Sequence, residues 1–401
     1  MGSLKLTPEM SVQARRGIGK ERPARQHWNE ITADTIRYFA MAVGDDNPRW
    51  YDPGYSADPP GGLVAPPTFL WTAFMSPMFF PSESPVRSKG GGFPGMQAIY
   101  AGAQFRFDRP IRPGDTFRST STRIGIVDPT DRVDGDSLAD EDDVRSAAEA
   151  ARAYHPDPDG PFVLQIERHE CFDAKTGDRI GAMIDNSARI EPEAIEPSKG
   201  RWGGFTPRRY TTDEIEHIEG HYLTEAANRR GAVPRHLDEV RVGEKLPTLV
   251  KGPLTLLSLT AFFIGAPAFF NLTDRVLYNF TSRFPESVKR DPETNIAVVP
   301  EEMHWHPHMA RQLSMPAGID LGSQRIAWLA HLVTDWMGDH GELTELDVWF
   351  HRPMFLTETA WCNGTVAEAL PGGRVRIALE LTTFDGELLS TGSATVGLPT
   401  R

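Results

Sequence analysis

A ten-residue pattern that occurs twice is the feature that most limits what this chain can fold into. The first copy reads FDRPIRPGDT at residues 107–116, and the second reads FHRPMFLTET at residues 350–359. Both copies hold a phenylalanine, an Arg-Pro pair, and an acidic residue followed by threonine, at the same spacing. Internal repetition of this kind indicates a duplicated structural unit. We therefore predict two copies of one fold in tandem.

The order of the predicted helices and strands supports the duplication. In each half a segment ends near a glycine, MAVGDDNP in the first and FFIGAPAF in the second, so Gly44 is expected to correspond to Gly265. Buried helices are predicted from apolar composition at residues 64–80, 256–270 and 318–338. Alternating apolar and polar residues predict strands at 96–107, 115–127, 162–174, 178–190, 345–353, 360–369, 374–384 and 388–398. Helices followed by antiparallel strands in each half indicate an α+β fold.

Length and turn residues divide the chain. Its 401 residues exceed the ~100–200 of a usual single domain, so two domains are expected. We expect a loose basic leader at 1–27, a first domain at 28–195, a linker with a polar helix at 196–233, and a second domain at 234–401. A capped helix is expected behind Thr32, and the acidic residues 131–143 are expected to form a solvated loop.

Charge and cysteine content exclude several classes of function. A formal net charge of −13 argues against nucleic-acid binding, which needs a basic surface. The two cysteines, Cys171 and Cys362, lie far apart, so neither a disulfide framework nor a CxxC site is expected. No apolar run reaches the ~18 residues of a membrane helix, and the first residues lack the apolar core of a signal peptide. A cytoplasmic protein fits these features.

The motifs resemble those of a known enzyme family. GDDNPRWYD followed by VAPPTF looks like the first part of MaoC-like acyl dehydratases, also called (R)-specific enoyl-CoA hydratases 2, with a FAS1-like dehydratase N-terminal half. MHWHPHMARQLSMPAGIDLG is similar to the family segment that runs from the active-site histidine to the glycine opening the central helix. The resemblance implies a tandem hot-dog fold, with each half an antiparallel sheet wrapped around a central helix, packed as a pseudo-dimer.

The resemblance also implies a hydro-lyase that adds or removes water across the 2,3 double bond of an enoyl thioester. Family members use a histidine and an aspartate, and the N-terminus of the central helix holds the thioester oxygen. In the first half Asp45 and Asn47 match the family's GD-x-NP motif, but Trp50 occupies the histidine position and cannot transfer a proton. The first half is therefore expected to bind the acyl group through these three residues.

In the second half His304 falls at the family's histidine position and is the expected proton-transfer residue. Ala266 stands where the family has its aspartate, so either another carboxylate serves, with Asp320 the first choice and Glu302 the second, or the reaction runs on His304 with water alone. Gly322 is expected to supply the oxyanion site, with helix capping or close packing against the sheet as the alternative. Arg325 is expected to bind an anionic group of the substrate, with pairing to a neighbouring acid as the alternative.

Other interpretations stay open at this point. His304, His306 and His308 alternate as metal ligands can, and His331 with Asp335 could face the site or form a polar pair at a domain interface. We expect neither a metal nor an organic cofactor. The expected partner is a substrate linked to coenzyme A or to an acyl carrier. A homodimer of double hot-dogs is the oligomer considered. A hot-dog thioesterase and an acyl-binding protein without catalysis are the alternative functions.

Overall fold

The computed structural model describes residues 5–24, 26–55, 62–74, 92–128, 139–191, 197–267, 272–283, 285 and 288–401. The described strands form one ten-stranded sheet, paired antiparallel throughout, and a separate two-stranded ribbon. Among the described helices, none has the length and apolar character needed to cross a membrane.

The first half builds one side of the large sheet. Its helices are α1 (Pro8–Arg15), α2 (Ala33–Val43) and α3 (Glu141–Tyr154), with 3-10 helices at Pro48–Trp50 and Pro67–Ala73. Its strands are β1 (Glu21–Ala24), β2 (Gln97–Phe107), β3 (Phe117–Val127), β4 (Phe162–Asp173) and β5 (Arg179–Ile190). These strands pair in the order β1-β3-β4-β5-β2.

The second half repeats that order. A 3-10 turn at Pro197–Lys199 and helix α4 (Thr212–Asn228) connect the halves, and a 3-10 turn follows at Leu237–Glu239. The helices are α5 (Leu256–Gly265), α6 (Asp274–Arg283), α7 (Pro307–Gln312) and α8 (Gly322–Met337), with a 3-10 helix at Pro300–His304. The strands are β6 (Leu249–Lys251), β7 (Lys289–Arg290), β8 (Ala297–Val298), β9 (Glu342–Phe350), β10 (Ala360–Leu370), β11 (Arg374–Thr383) and β12 (Leu388–Gly397). Without the β7-β8 ribbon, they pair as β6-β10-β11-β12-β9.

The matching strand orders confirm the tandem hot-dog fold. In the first half β3 lies on the opposite side of the sheet from β2, and in the second half β10 lies on the opposite side from β9. Helix α8 is the central helix of the second half. Every residue of α8 from Ser323 to Met337 is buried, because the sheet covers a helix that is apolar around most of its circumference. The halves join where β2 pairs with β9, so that Gly102–Arg106 run antiparallel to Glu345–Trp349.

The repeated sequence pattern performs the same structural task in both halves. Arg109 donates to Asp115 at 2.8 and 3.1 Å, and Arg352 donates to Glu358 at 2.9 and 3.3 Å. In each copy the acidic side chain also accepts a backbone N–H three residues before it, from Arg112 at 2.7 Å or from Phe355 at 2.7 Å. The arginine and the acid thus close the turn before β3 and before β10.

Two expectations about the first half are wrong. The leader is not loose, because Glu21–Ala24 pair with β3 as the edge strand of the sheet. The last residues of the acidic segment 131–143 belong to a helix and not to a loop, because α3 begins at Glu141. Residues 131–138 lie outside the described part. Helix α3 buries Ala147, Ala150, Ala151 and Tyr154. The buried face of this helix consists mostly of alanine, so its hydrophobicity in the sequence differs little from that of the exposed face.

Two expectations about apolar helices need correction. In the predicted helix at 64–80, residues 67–73 form a buried 3-10 helix, and 75–80 lie outside the described residues. Helix α5 forms as predicted but is buried on one face only, since Leu257 is 77% exposed and Ile264 is 57% exposed. Gly44 and Gly265 both end helices, yet only Gly44 caps its helix in the left-handed conformation, with φ of 69°.

Candidate active site

His304 closes the 3-10 helix that precedes α7 and is 5% exposed. Its Nδ1 lies 2.9 Å from the carbonyl oxygen of Ile319. A carbonyl oxygen can only accept, so Nδ1 carries the hydrogen, and in the neutral ring Nε2 then carries the lone pair. The fold therefore presents His304 as a base at Nε2.

His304 packs beside the end of α5. Phe263 of α5 lies edge-to-face to the imidazole, with ring centroids 6.2 Å apart. The end of α5, where Ala266 replaces the family's aspartate, thus packs beside His304 despite the long insertion between them. Gly318 makes room for this segment, because a Cβ there would lie 2.4 Å from the carbonyl oxygen of His304.

Glu301 is the carboxyl group that the structure associates with His304. The two residues are three apart in a 3-10 helix, where side chains at i and i+3 lie on the same face. Burial raises the pKa of Glu301, and the charge of His304 acts in the opposite direction. Within the described residues, its side chain makes no hydrogen bond or ion pair. A carboxyl group without another partner among the described residues is therefore available on the same face as the base.

Glu301 was missed in the sequence, where Glu302 was preferred. The only signal was the E-E-x-H spacing, which cannot separate the two acids without the local helix type. In the structure, the Glu302 side chain turns back to accept the backbone N–H of Val299 at 2.9 Å. Glu302 is thus a capping residue of the 3-10 helix, and its assistance to His304 stays a prediction of the sequence.

Asp320 and Arg325 are bound to each other. Arg325 donates to Asp320 from Nε at 2.5 Å and from a terminal nitrogen at 3.2 Å, and neither side chain is exposed. Asp320 also accepts the backbone N–H of Met354 at 3.0 Å, and Arg325 reaches the carbonyl oxygen of Arg352 at 2.8 Å. The closed pair occupies both side chains, and the roles of Asp320 as acid and of Arg325 as substrate ligand stay predictions of the sequence.

Gly322 opens α8, as expected for a residue that could hold an oxyanion. The first backbone N–H groups of a helix have no partner within the helix, and the helix dipole favours negative charge there. A Cβ at this position would lie 2.4 Å from a ring carbon of Phe350 and 3.0 Å from one of Tyr100. Close packing therefore also requires glycine here.

The first-half motif forms a hydrogen-bonded turn. Asp45 accepts the backbone N–H of Asn47 at 3.0 Å and the indole N–H of Trp50 at 2.7 Å. Asn47 in turn accepts the backbone N–H of Arg49 at 3.0 Å. Asp45, Asn47 and Trp50 are each at most 3% exposed. These side chains close the turn, and their contact with an acyl group stays a prediction of the sequence.

A surface cavity of about 810 Å³ lies between the loop at 201–209 and the end of β11. Two of its arginines are already paired, Arg208 with Glu214 at 2.9 Å and Arg352 with Glu358. Neither His304 nor Glu301 lines this cavity. It is therefore separate from the candidate site.

Comparison with known proteins identifies the first half. Residues 18–130 match a family model described as the FAS1-like dehydratase domain region. A UPF0336 protein of Streptomyces avermitilis is 31% identical over 111 residues, which span 26% of this chain and 67% of that protein. The chain belongs to the UPF0336 family through its first half. A UPF0336 protein of Parafrankia sp. is 33% identical over 98 residues, 24% of this chain and 62% of its own length.

Solved structures resemble the whole UPF0336-related chain. A MaoC-like dehydratase superposes with a TM-score of 0.62 at 17% identity, covering 96% of this chain and all of the other (100%). A putative MaoC domain protein dehydratase from Chloroflexus aurantiacus has a TM-score of 0.52 at 12% identity, with 96% of each chain covered. At these identities the likeness concerns the fold. The predicted resemblance to MaoC-like proteins with a FAS1-like first half is confirmed.

Proposed function

We propose that this protein is a hydro-lyase that adds water to, or removes it from, the 2,3 double bond of an enoyl thioester. The observation that carries the proposal is the buried His304, whose Nδ1 is fixed as a donor by Ile319 so that Nε2 can act as a base. The FAS1-like dehydratase region and the MaoC-like fold support the same reaction class.

The proposed mechanism uses two neighbouring groups, His304 as the base and Glu301 as the acid. In hydration, Nε2 of His304 takes a proton from water as the hydroxyl adds to the β-carbon, and Glu301 delivers its proton to the α-carbon. The first backbone N–H of α8, at Gly322, holds the thioester oxygen while it carries enolate charge. Transfer of the proton from His304 back to Glu301 restores the starting state, and dehydration follows the same steps in reverse.

The second half is proposed to do the chemistry, since the first-half turn around Asp45 has no free proton-transfer group. The thioester is carried by coenzyme A or by an acyl carrier, and a cytoplasmic location and a homodimer of double hot-dogs remain predictions of the sequence.

Crotonyl-CoA distinguishes the candidate functions. We expect its enoyl absorbance to fall as water adds, with no free thiol released. Release of free thiol, with the double bond of the acyl group unchanged, would instead identify a thioesterase. Saturable binding of the thioester without either reaction would identify an acyl-binding protein, and both results would contradict the proposal.

A further inference from the structure

A second polar cluster lies away from His304, where the two halves and the connector meet. His331 and Asp335 stand one turn apart on α8, Asp45 comes from the first-half turn, and Glu225 comes from α4. The Nε2 atom of His331 lies 3.4 Å from Asp45 Oδ1, 3.3 Å from Asp335 Oδ2 and 3.6 Å from Glu225 Oε1. Donor atoms of Asp45, His331 and Asp335 all lie within 4.8 Å of one another.

His331 is the unusual member of this cluster. Its side chain is 1% exposed, and neither ring nitrogen has a hydrogen-bond partner among the described residues. Buried polar atoms in native proteins nearly always have a partner, and an unsatisfied one is costly. The Nε2 atom therefore points among three carboxylates without bonding well to any of them.

We propose that this cluster binds one divalent transition-metal ion, such as Zn²⁺, through His331, Asp45 and Asp335, with Glu225 beside His331 as the carboxylate that completes the ligand set when its side chain turns toward the ion. Zinc lies about 2.0–2.2 Å from imidazole nitrogen and carboxylate oxygen, so two ligands of a tetrahedral ion are about 3.4 Å apart. The three distances from His331 fall close to that value. One imidazole with carboxylates is a donor set that suits such ions.

The carboxylates are already held in place for this role. Asp45 is fixed by the indole of Trp50 and the backbone of Asn47, and Asp335 accepts Nε of Arg229 at 2.9 Å. Hydrogen bonds of this kind orient metal ligands and tune their affinity. The side chains of Asp335 and Glu225 are 12% and 15% exposed, so an ion can enter from the side of α4.

The local charge also favours a divalent ion. Arg229 pairs with Asp335 and Asp46, and Lys251 lies 3.9 Å from Glu225. With Asp45 added, four carboxylates face two cationic side chains, which leaves a charge of −2 when His331 is neutral. A bound divalent ion would neutralise this charge. It would also fasten the first half and the connector to the central helix, a stabilising role separate from the proposed chemistry at His304.

The sequence had given no expectation of a metal, because the four ligands come from three distant segments. The test uses the full chain without a polyhistidine tag, stripped with a chelator, dialysed, and then titrated with ZnCl₂, MnCl₂ or MgCl₂. We expect about one Zn²⁺ per chain by elemental analysis and a rise of the melting temperature, since an ion that binds only the folded state stabilises it. Magnesium should produce a smaller shift.

Two variants and one control make the test specific. His331→Gln and Asp335→Asn should both lose the bound zinc and the zinc-dependent rise in melting temperature, with the fold checked by circular dichroism. Glu225→Gln, at the more exposed ligand, should weaken zinc binding at least about tenfold and covers the case in which the buried variants do not fold.

His221→Gln is the matched control, because His217 and His221 form a separate histidine pair on α4, with ring centroids 5.2 Å apart. It should keep the zinc content and the shift of the wild-type chain. The proposal is overturned if the wild-type chain takes up no zinc. It is equally overturned if the folded cluster variants bind zinc as the wild type does, or if His221→Gln alone abolishes binding.

Discussion

The ion pair between Asp320 and Arg325 shows how a residue that looks functional in the sequence can be structural. Both side chains are fully buried, and the guanidinium of Arg325 lies 4.3 Å from the ring centroid of Phe350. Position next to the central helix suggested a catalytic acid. Complete burial with saturated hydrogen bonds assigns the pair instead to holding α8 against the turn before β10.

Asp320→Asn is expected to destabilise the protein strongly. Removing one partner of a buried pair leaves an uncompensated buried charge, which costs about 3–5 kcal/mol of the free energy of unfolding. Arg106→Gln, in the pair with Glu345 whose side chains are 67% and 32% exposed, should cost less than about 1 kcal/mol. Urea unfolding of both variants measures the difference. Equal losses would contradict a buried role for Asp320.

Asp185 on β5 gives a pH-dependent prediction. Burial, with the nearby Glu167, raises its pKa to about 7 from 3.8. The folded protein therefore holds this proton more tightly than the unfolded chain, and the stability it confers is lost as the pH rises from about 4 through about 7. Asp185→Asn, which cannot ionise, should raise the free energy of unfolding on the order of 2–4 kcal/mol at about pH 8.

The same substitution should change stability little at about pH 4, where wild-type Asp185 is protonated. Urea unfolding at both pH values measures the effect, with the exposed Asp159→Asn as control. A difference between Asp185→Asn and wild type that does not grow with pH would be inconsistent with the raised pKa.

Packing between elements depends on a glycine whose role the sequence did not reveal. A Cβ at Gly265 would lie 2.2 Å from the backbone oxygen of Tyr38 and 2.5 Å from Cβ of Ala42. Helices α2 and α5 can therefore approach closely only because this residue has no side chain. The glycine was predicted from the repeat as a turn residue, and its contact with α2 depends on how distant elements meet.

Gly265→Ala is expected to push α2 and α5 apart. Overpacking of this kind costs about 1–3 kcal/mol, and backbone contacts cannot be relieved by rotating a side chain. Gly220→Ala is the control, since nothing lies within 4 Å of a Cβ there and alanine favours helix α4 by up to about 1 kcal/mol. Opposite changes in melting temperature are expected. A stable Gly265→Ala variant would show that the helices are not in close contact.

The sequence predicted elements well where a strong pattern fixed them. The alternation of residues in β2 to β5 and β9 to β12 located those strands, and the Thr32 cap located the start of α2. Helix α3 was missed because its buried face is mostly alanine, and the edge strand β1 because polar residues fill it. An edge strand such as β1 is stabilised by pairing with a neighbouring strand, and the local sequence pattern does not show that pairing.

At the scale of the whole molecule, the sequence predicted the duplication. It predicted only part of the functional residues in each half. His304 could be chosen from its place in the repeat, whereas Glu301 could not be separated from Glu302 without the 3-10 geometry. Asp45 and Trp50 were assigned to substrate binding from their motif, yet their hydrogen bonds close a turn. A motif shows which residue types are present, while burial and hydrogen-bond partners decide which of them remain free to react.

The central claim is that proton transfer takes place at His304 in the second half. The most direct measurement is the rate of crotonyl-CoA hydration by His304→Gln, compared with wild type and with His169→Gln, a buried histidine on β4 of the first half. Loss of a general base should lower the rate about 10²–10⁴-fold in His304→Gln, while His169→Gln should stay within about tenfold of wild type. A folded His304→Gln variant that retains activity within about tenfold, or an equal loss in His169→Gln, would contradict the account.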